Sequence, residues 1–195
     1  MMKKTTKKFI TLEVKLQDLG YTRTIVIPDD LTMAKLANVI IDIFGFEGGH
    51  LWEYDMMNNP IGIPTGMDFV PKRDGEKIKI RDEYAKIGVI HDLVYDFGDG
   101  WGFDVKRIED SGEKSVKCIA TTGLRGVDDI GGSWYLKVFT KDLRKYVKTG
   151  KKPEDENFNE TFDWLGFNDN PDAVAEFLRE PTAEEITKIL RKRIR

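Results

Sequence analysis

One cysteine and two histidines are the whole supply of thiol and imidazole ligands in this chain. Cys118 alone excludes an intrachain disulfide framework and a Cys-rich zinc site, and it points to a reducing compartment. Charge of one sign is also missing. Thirty-one basic residues nearly cancel 34 acidic ones, leaving a net charge of -3, so no bulk attraction to nucleic acid is expected. No stretch approaches the roughly 18 uninterrupted apolar residues that read as a membrane span. The start, "MMKKTTKKFITLEVKL", alternates apolar with polar residues and lacks the continuous apolar run of a signal peptide. Together these absences point to a cytoplasmic protein with no membrane contact. There is no internal repeat and no low-complexity tract. What is present suits one domain spanning 1–195: 195 residues, 40% of them hydrophobic.

Ile10, Leu12, Val14 and Leu16 alternate with polar residues and predict a half-buried strand. "TRTIVIP" reads as its returning partner, stopped by Pro28. Met33, Leu36, Ala37, Ile40, Ile41 and Phe44 fall at helical spacing, with Gly45 placed to end the helix. "HLWEYDM" reads as a strand, residues 58–75 as a long surface loop, and "EKIKI" as a short strand. "IHDLVYDFGDGWGFDVKRIED" and "SVKCIATTG" predict three more strands. From Ser133, placed as an N-cap, a helix runs to about Thr149. "FNETFDWLGFN" is too aromatic for solvated coil and is expected to pack onto the sheet. Asn170-Pro171 opens a short helix, and Thr182 with Glu185 forms a capping box for the last one. Hairpins dominate and no βαβ repeat occurs. The class is therefore α+β: a mainly antiparallel sheet, core about 9–125, covered by helices on one face, with a mainly helical part over about 133–195.

The densest local signal is "YDFGDGWG", Tyr95 to Gly102. A three-residue hairpin loop, Gly98-Asp99-Gly100, sets Phe97 opposite Trp101 and Tyr95 opposite Phe103, which makes one face wholly aromatic and apolar. Asp96 and Asp104 are then expected side by side on the other face, where like charges repel unless they meet a cation or a basic partner. The "DFG" triplet alone does not make a kinase, since no phosphate loop or catalytic His-Arg-Asp accompanies it. Nor do Gly98 and Gly100 permit an EF-hand.

The second constellation is "VDDIGGSWY", where Asp128 and Asp129 precede Gly131-Gly132 at a helix start. Amides there favour anions, but the neighbouring acids oppose a phosphate. The candidate binding residues are accordingly Asp96, Asp99, Trp101, Asp104, Asp128 and Asp129. His50, Asp96 and Asp128 or Asp129 would suit a divalent cation if the fold brings them together, since histidine with carboxylates fits zinc, manganese or iron. Trp52, Trp134 and Trp164 read as core rather than as a recognition surface. The basic tail carries Lys188, Arg191, Lys192, Arg193 and Arg195, which complement a helix C-terminus and need no nucleic acid.

These residues carry a resemblance. "YDFGDGWGFDVKRIE" resembles the Tyr-Asp-Phe-Gly-Asp-x-Trp strand pair of the plasmid Ri open-reading-frame-three-like proteins. "LANVIIDIFGFEGGHLWEY", "GLRGVDDIGGSWYLKVF" and "FNETFDWLGFN" are similar to three further blocks of that family. The resemblance covers about Phe9 to Asn168. It implies an association with plasmids and mobile elements and no established activity; a resolvase-like label carried by some members reflects genomic neighbourhood. Phe103 stands where many members have histidine, and the Cys-Pro-Pro that many have before the acidic pair is missing, so two potential metal ligands are absent.

The reading that follows is a non-catalytic binding or interaction module, with a protein partner favoured over nucleic acid. The alternative is a metal-dependent hydrolase or nuclease using Asp96, Asp104, Asp128, Asp129 and His50.

Overall fold

The computed structural model describes residues 8–56, 58–65, 72–168 and 170–195. The predicted alternation builds β1 (Phe9–Leu16), which pairs antiparallel with β2 (Tyr21–Pro28). Ile10, Leu12, Val14 and Leu16 are all buried while Lys15 between them is exposed, the period-two signature of a sheet with one covered face. Helix α1 (Met33–Phe44) starts where the Thr32 side chain accepts the Lys35 N–H. It ends at Gly45, whose φ of 93° is left-handed backbone that suits glycine. Strand β3 (Trp52–Tyr54) follows.

The segment 58–75 is not a loop throughout. It contains β4 (Ile61–Gly62), antiparallel to β3, and β5 (Arg73–Asp74), parallel to β4. Its prolines and glycines mask the fully buried Ile61, which needs a place in the sheet; residues 66–71 lie outside the described part. The strand expected at "EKIKI" does not form. Its Ile78 carbonyl and Ile80 N–H instead bond the backbone of Met33 and Leu31 at the start of α1, and Ile80 opens the short α2 (Ile80–Glu83).

Strands β6 (Ile90–Tyr95), β7 (Trp101–Ile108) and β8 (Lys117–Thr122) appear where predicted. The eight strands run in the order β5-β4-β3-β6-β7-β1-β2-β8, and every pairing except β4 with β5 is antiparallel. The architecture is α+β. Helix α1 contributes to the covered face, its Phe44 ring lying 5.1 Å from that of Phe103 on β7.

The chain ends in α3 (Gly132–Thr149), α4 (Glu156–Trp164), α5 (Pro171–Phe177) and α6 (Ala183–Arg193). Gly131, not Ser133, caps α3; the Ser133 hydroxyl donates to Asp18 instead. The aromatic stretch of α4 packs on α3 rather than on the sheet: Phe158 meets Phe139 at 5.1 Å and Phe162 meets Tyr146 at 5.3 Å. Asn170 caps α5 and the Thr182–Glu185 box caps α6, both as expected. Helix α6 lies along β8, where the Cys118 N–H donates to the Thr187 hydroxyl at 2.9 Å. Among the described residues, no helix is long and apolar enough to cross a membrane.

The core holds a fully buried charge that periodicity did not reveal. Arg23, on β2, is fully buried. Its guanidinium donates to the carbonyls of Thr22 and Leu124, each at 2.8 Å, and to that of Thr122, and it sits 4.7 Å from the centre of the Phe44 ring. Burial lowers its pKa to about 10. This carbonyl cage ties the end of β8 to the sheet and fixes the chain that leads into the acidic loop.

Candidate metal centre

The hairpin register differs from the expected one. Tyr95 pairs with Trp101, Leu93 with Phe103 and His91 with Val105, so the loop holds five residues, Asp96 to Gly100. The slip is two residues, which preserves the faces: Leu93, Tyr95, Trp101, Phe103 and Val105 are all fully buried. Phe97 is displaced from that face and is exposed. The physical reason lies in Asp96. Its N–H donates not to β7 but to the Leu51 carbonyl at 2.9 Å, extending the edge toward β3. Its carboxylate accepts the Gly98 N–H at 3.0 Å, and its carbonyl accepts the Gly100 N–H. Asp96 takes a left-handed φ of 54°, a conformation that aspartate tolerates better than most side chains.

The same bond to Leu51 draws Asp96 beside His50. The imidazole Nδ1 lies 3.7 Å from an Asp96 oxygen, and Nε2 lies 3.5 Å from an Asp129 oxygen. Asp129 arrives by a separate route. The hairpin tip docks on the start of α3, where Asp99 accepts the Gly131 N–H at 3.1 Å. A Cβ on Gly132 would stand 2.6 Å from the Asp99 carbonyl oxygen, so glycine is required for this approach. Asp128 anchors the loop from the other side. It accepts the Tyr95 hydroxyl at 3.0 Å and the Glu47 N–H at 2.7 Å. Burial, then the Asp128 carboxylate, pushes the Tyr95 hydroxyl well above its ordinary pKa, so it remains a donor.

One ligand atom each from His50, Asp96 and Asp129 therefore lies within 4.8 Å of the others. The pairs at 3.5 and 3.7 Å are too long for good hydrogen bonds. They approach the roughly 3.4 Å between two tetrahedral ligands with bonds of about 2.1 Å. The two imidazole nitrogens face different carboxylates, so a cation on one nitrogen needs the other carboxylate to swing in. Asp129 has that freedom, its side chain being 70% exposed, while the Asp96 side chain is 10% exposed and fixed.

The remaining candidates are not part of this group. Asp104 lies opposite Asp92, not beside Asp96, and accepts the Gln17 amide at 2.9 Å. Trp101 is buried against Phe46, ring centres 4.8 Å apart, and reaches no surface. Trp52 is core as expected, but Trp134 and Trp164 are 73% and 56% exposed, contrary to the expectation that all three are core. The basic tail is largely engaged: Arg191 donates to the Val116 carbonyl, Arg193 pairs with Asp42 on α1, and Lys188 pairs with Glu184.

The sequence profile of the plasmid pRiA4b ORF-3-like proteins matches residues 8–176. The chain belongs to the plasmid pRiA4b ORF-3-like family. This family member is 27% identical over 160 residues to the uncharacterized protein y4hQ of Sinorhizobium fredii (strain NBRC 101917 / NGR234), covering 80% of this chain and 78% of that protein. Its fold is similar to the crystal structure of MM3350 from Methanosarcina mazei Go1, a protein of unknown function. The TM-score is 0.67 at 24% identity, over 84% of this chain and 93% of that one. Neither of these two proteins is described with an activity.

Sequence reasoning missed two parts of this region. The Tyr95–Asp128 clamp could not be seen because Tyr95 reads simply as a core aromatic. The solvent-facing Trp134 was hidden in the apolar pattern around Tyr135 and Leu136, although its place in the helix, opposite Leu136 and Phe139, is a legible signal.

Proposed function

We propose that this pRiA4b ORF-3-like protein is a non-catalytic binding module organised around a divalent cation held by His50, Asp96 and Asp129. The observation that carries the reading is the convergence of three donors from sequence-distant segments, within 4.8 Å of one another. Imidazole with two carboxylates suits zinc or manganese. Three protein ligands leave positions open to a partner's own oxygen or nitrogen.

A hydrolase or nuclease would need a further carboxylate free beside the cation to move a proton. Asp104 and Asp128, the two further acids that the hydrolase reading relies on, are engaged by the Gln17 amide, the Tyr95 hydroxyl and the Glu47 N–H. That favours binding over catalysis. The exposed Trp164 and Asp129 line one hollow of about 420 Å³, with Phe177 and Leu165. An aromatic rim beside an anionic centre suits a protein partner presenting an apolar side chain and a donor. The lone Cys118 fits a cytoplasmic setting, and family membership makes plasmid or mobile-element maintenance the natural context.

The test is thermal unfolding with zinc and manganese, alongside titration calorimetry, for wild type, His50→Ala and Asp96→Asn. At 100 times Kd a site stabilises by about 2.7 kcal/mol, or about 5–10 °C in a chain of this size. Both variants should lose that shift. No shift in wild type, or an equal shift in the variants, would refute the site.

A further inference from the structure

Helix α3 turns Leu136, Phe139 and Leu143 into the core. Its outer face is of one sign. Lys137, Lys141, Arg144, Lys145 and Lys148 recur every three or four residues, are all exposed, and line one shallow groove with Thr140 and Thr149. Among the described residues none of these five cations is in an ion pair, whereas the basic residues of α6 are mostly engaged. The only acid on α3, Asp142, is half-buried and falls about a third of a turn away from this stripe. Trp134 stands at the N-terminal end of the same stripe, about one helical turn before Lys137 and two before Lys141, and is 73% exposed.

Five unpaired cations held on a rigid helix cost free energy through mutual repulsion. A net charge of -3 does not offset it locally, because fields fade over about 10 Å at 0.1 M salt. The stripe spans about 16 Å of helix, long enough to follow several phosphates in succession. An exposed indole in line with such a row has one further use: a base, unstacked from its neighbours, can lie on it. Cations that track a backbone together with a stacking ring make up the usual surface for single strands.

We propose that the outer face of α3 binds single-stranded nucleic acid, with phosphates along Lys137, Lys141, Arg144, Lys145 and Lys148 and a base stacked on Trp134. The site is separate from the His50 centre and does not depend on it. It favours a nucleic-acid partner for this face, although the net charge of the whole chain gave no reason to expect one.

Fluorescence anisotropy tests it with labelled oligothymidylate and oligouridylate of about 15 nucleotides, within the usual site size, a duplex of equal length, and phosphatidylserine vesicles. If all five cations meet phosphates, log K should fall with log salt at a slope of roughly -3.5. Lys141→Gln/Lys145→Gln/Lys148→Gln should flatten that slope by about 2. Trp134→Ala should weaken binding about tenfold and leave the slope unchanged. Lys188→Gln/Lys192→Gln, on α6, should change nothing. All these positions are exposed, and circular dichroism confirms that the variants fold. The DNA and RNA arms decide between the two strand chemistries. The proposal is overturned by no binding at low salt, by binding that the triple variant leaves intact, by duplex binding indifferent to Trp134→Ala, or by capture on vesicles alone.

Discussion

Replacing Tyr95 with Phe removes one oxygen atom and leaves the packing in place. The ring is fully buried, 5.4 Å from Phe46 and 5.7 Å from His50 between centres, and those contacts persist in the variant. What goes is the 3.0 Å bond to Asp128. A hydrogen bond to a charged group contributes about 1.5–3 kcal/mol. Asp128 is half-buried, so water can reach the abandoned oxygen, and the low end, about 1.5 kcal/mol, is expected. That corresponds to a fall of about 3–6 °C in Tm for a chain of this length. Urea denaturation should show a lower midpoint with unchanged slope. A second readout follows because Asp128 holds the loop that carries Asp129. Loss of such an outer support costs about 10–100-fold in metal affinity, and zinc titration of Tyr95→Phe should show about the lower of these. A variant as stable as wild type would mean that the Tyr95–Asp128 bond contributes nothing net to the fold. A destabilised variant with full zinc affinity would mean that the clamp does not position Asp129.

Two further outcomes come from buried charges. His91 donates to Asp55 and lies 4.0 Å from Glu83; burial lowers its pKa, but the Asp55 bond and charge, then Glu83, outweigh burial and hold it above 6.5. The protonated ring therefore favours the fold fully below the unfolded value near 6.5, and this advantage is lost as pH rises through the raised folded value. Unfolding free energy measured across that window should decline in wild type and be flatter in Asp55→Asn. Arg23→Met removes a buried charge but orphans the carbonyls of Thr122 and Leu124. A net loss of about 3 kcal/mol by chemical denaturation is expected, and a neutral or stabilising result would show that burying the charge costs more than its cage returns.

Much of the fold was legible because its elements obey one period at a time. The β1 alternation, the α1 stripe with Gly45, and the caps at Asn170 and Thr182 are local devices, and each appears where its residues place it. The failures are non-local. Ile61 looked like part of a loop because β4 is two residues long and is held by β3 rather than by its own propensity. Arg23 looked like a polar position on an alternating strand, and carbonyls about a hundred positions away, those of Thr122 and Leu124, help to make its burial tolerable. The aromatic stretch of α4 had the right affinity for a core but no local feature to say whether sheet or helix would supply it. The three donors of the candidate centre were each nameable, and Asp129 could be told from Asp128 only once Tyr95 and Glu47 had claimed the latter.

Asp96 is where the turn and the site become one question. As a turn residue it needs two things: tolerance of a φ of 54° and a side-chain oxygen to accept the Gly98 N–H. Asparagine meets both needs, since it visits the left-handed region readily and its amide oxygen caps in the same way. A turn alone therefore gives no reason to keep a charge there. Yet a carboxylate stands in a largely buried position, where charge is costly without a counter-charge, and the cationic or metal-ligating group within reach is the imidazole of His50 at 3.7 Å. Asp96→Asn thus preserves the backbone device and removes only the charge. If the fold and its hairpin survive that change while the cation response disappears, the carboxylate is held for a ligand. If the variant is simply more stable and nothing else alters, the charge is a burden that the turn carries for no local benefit.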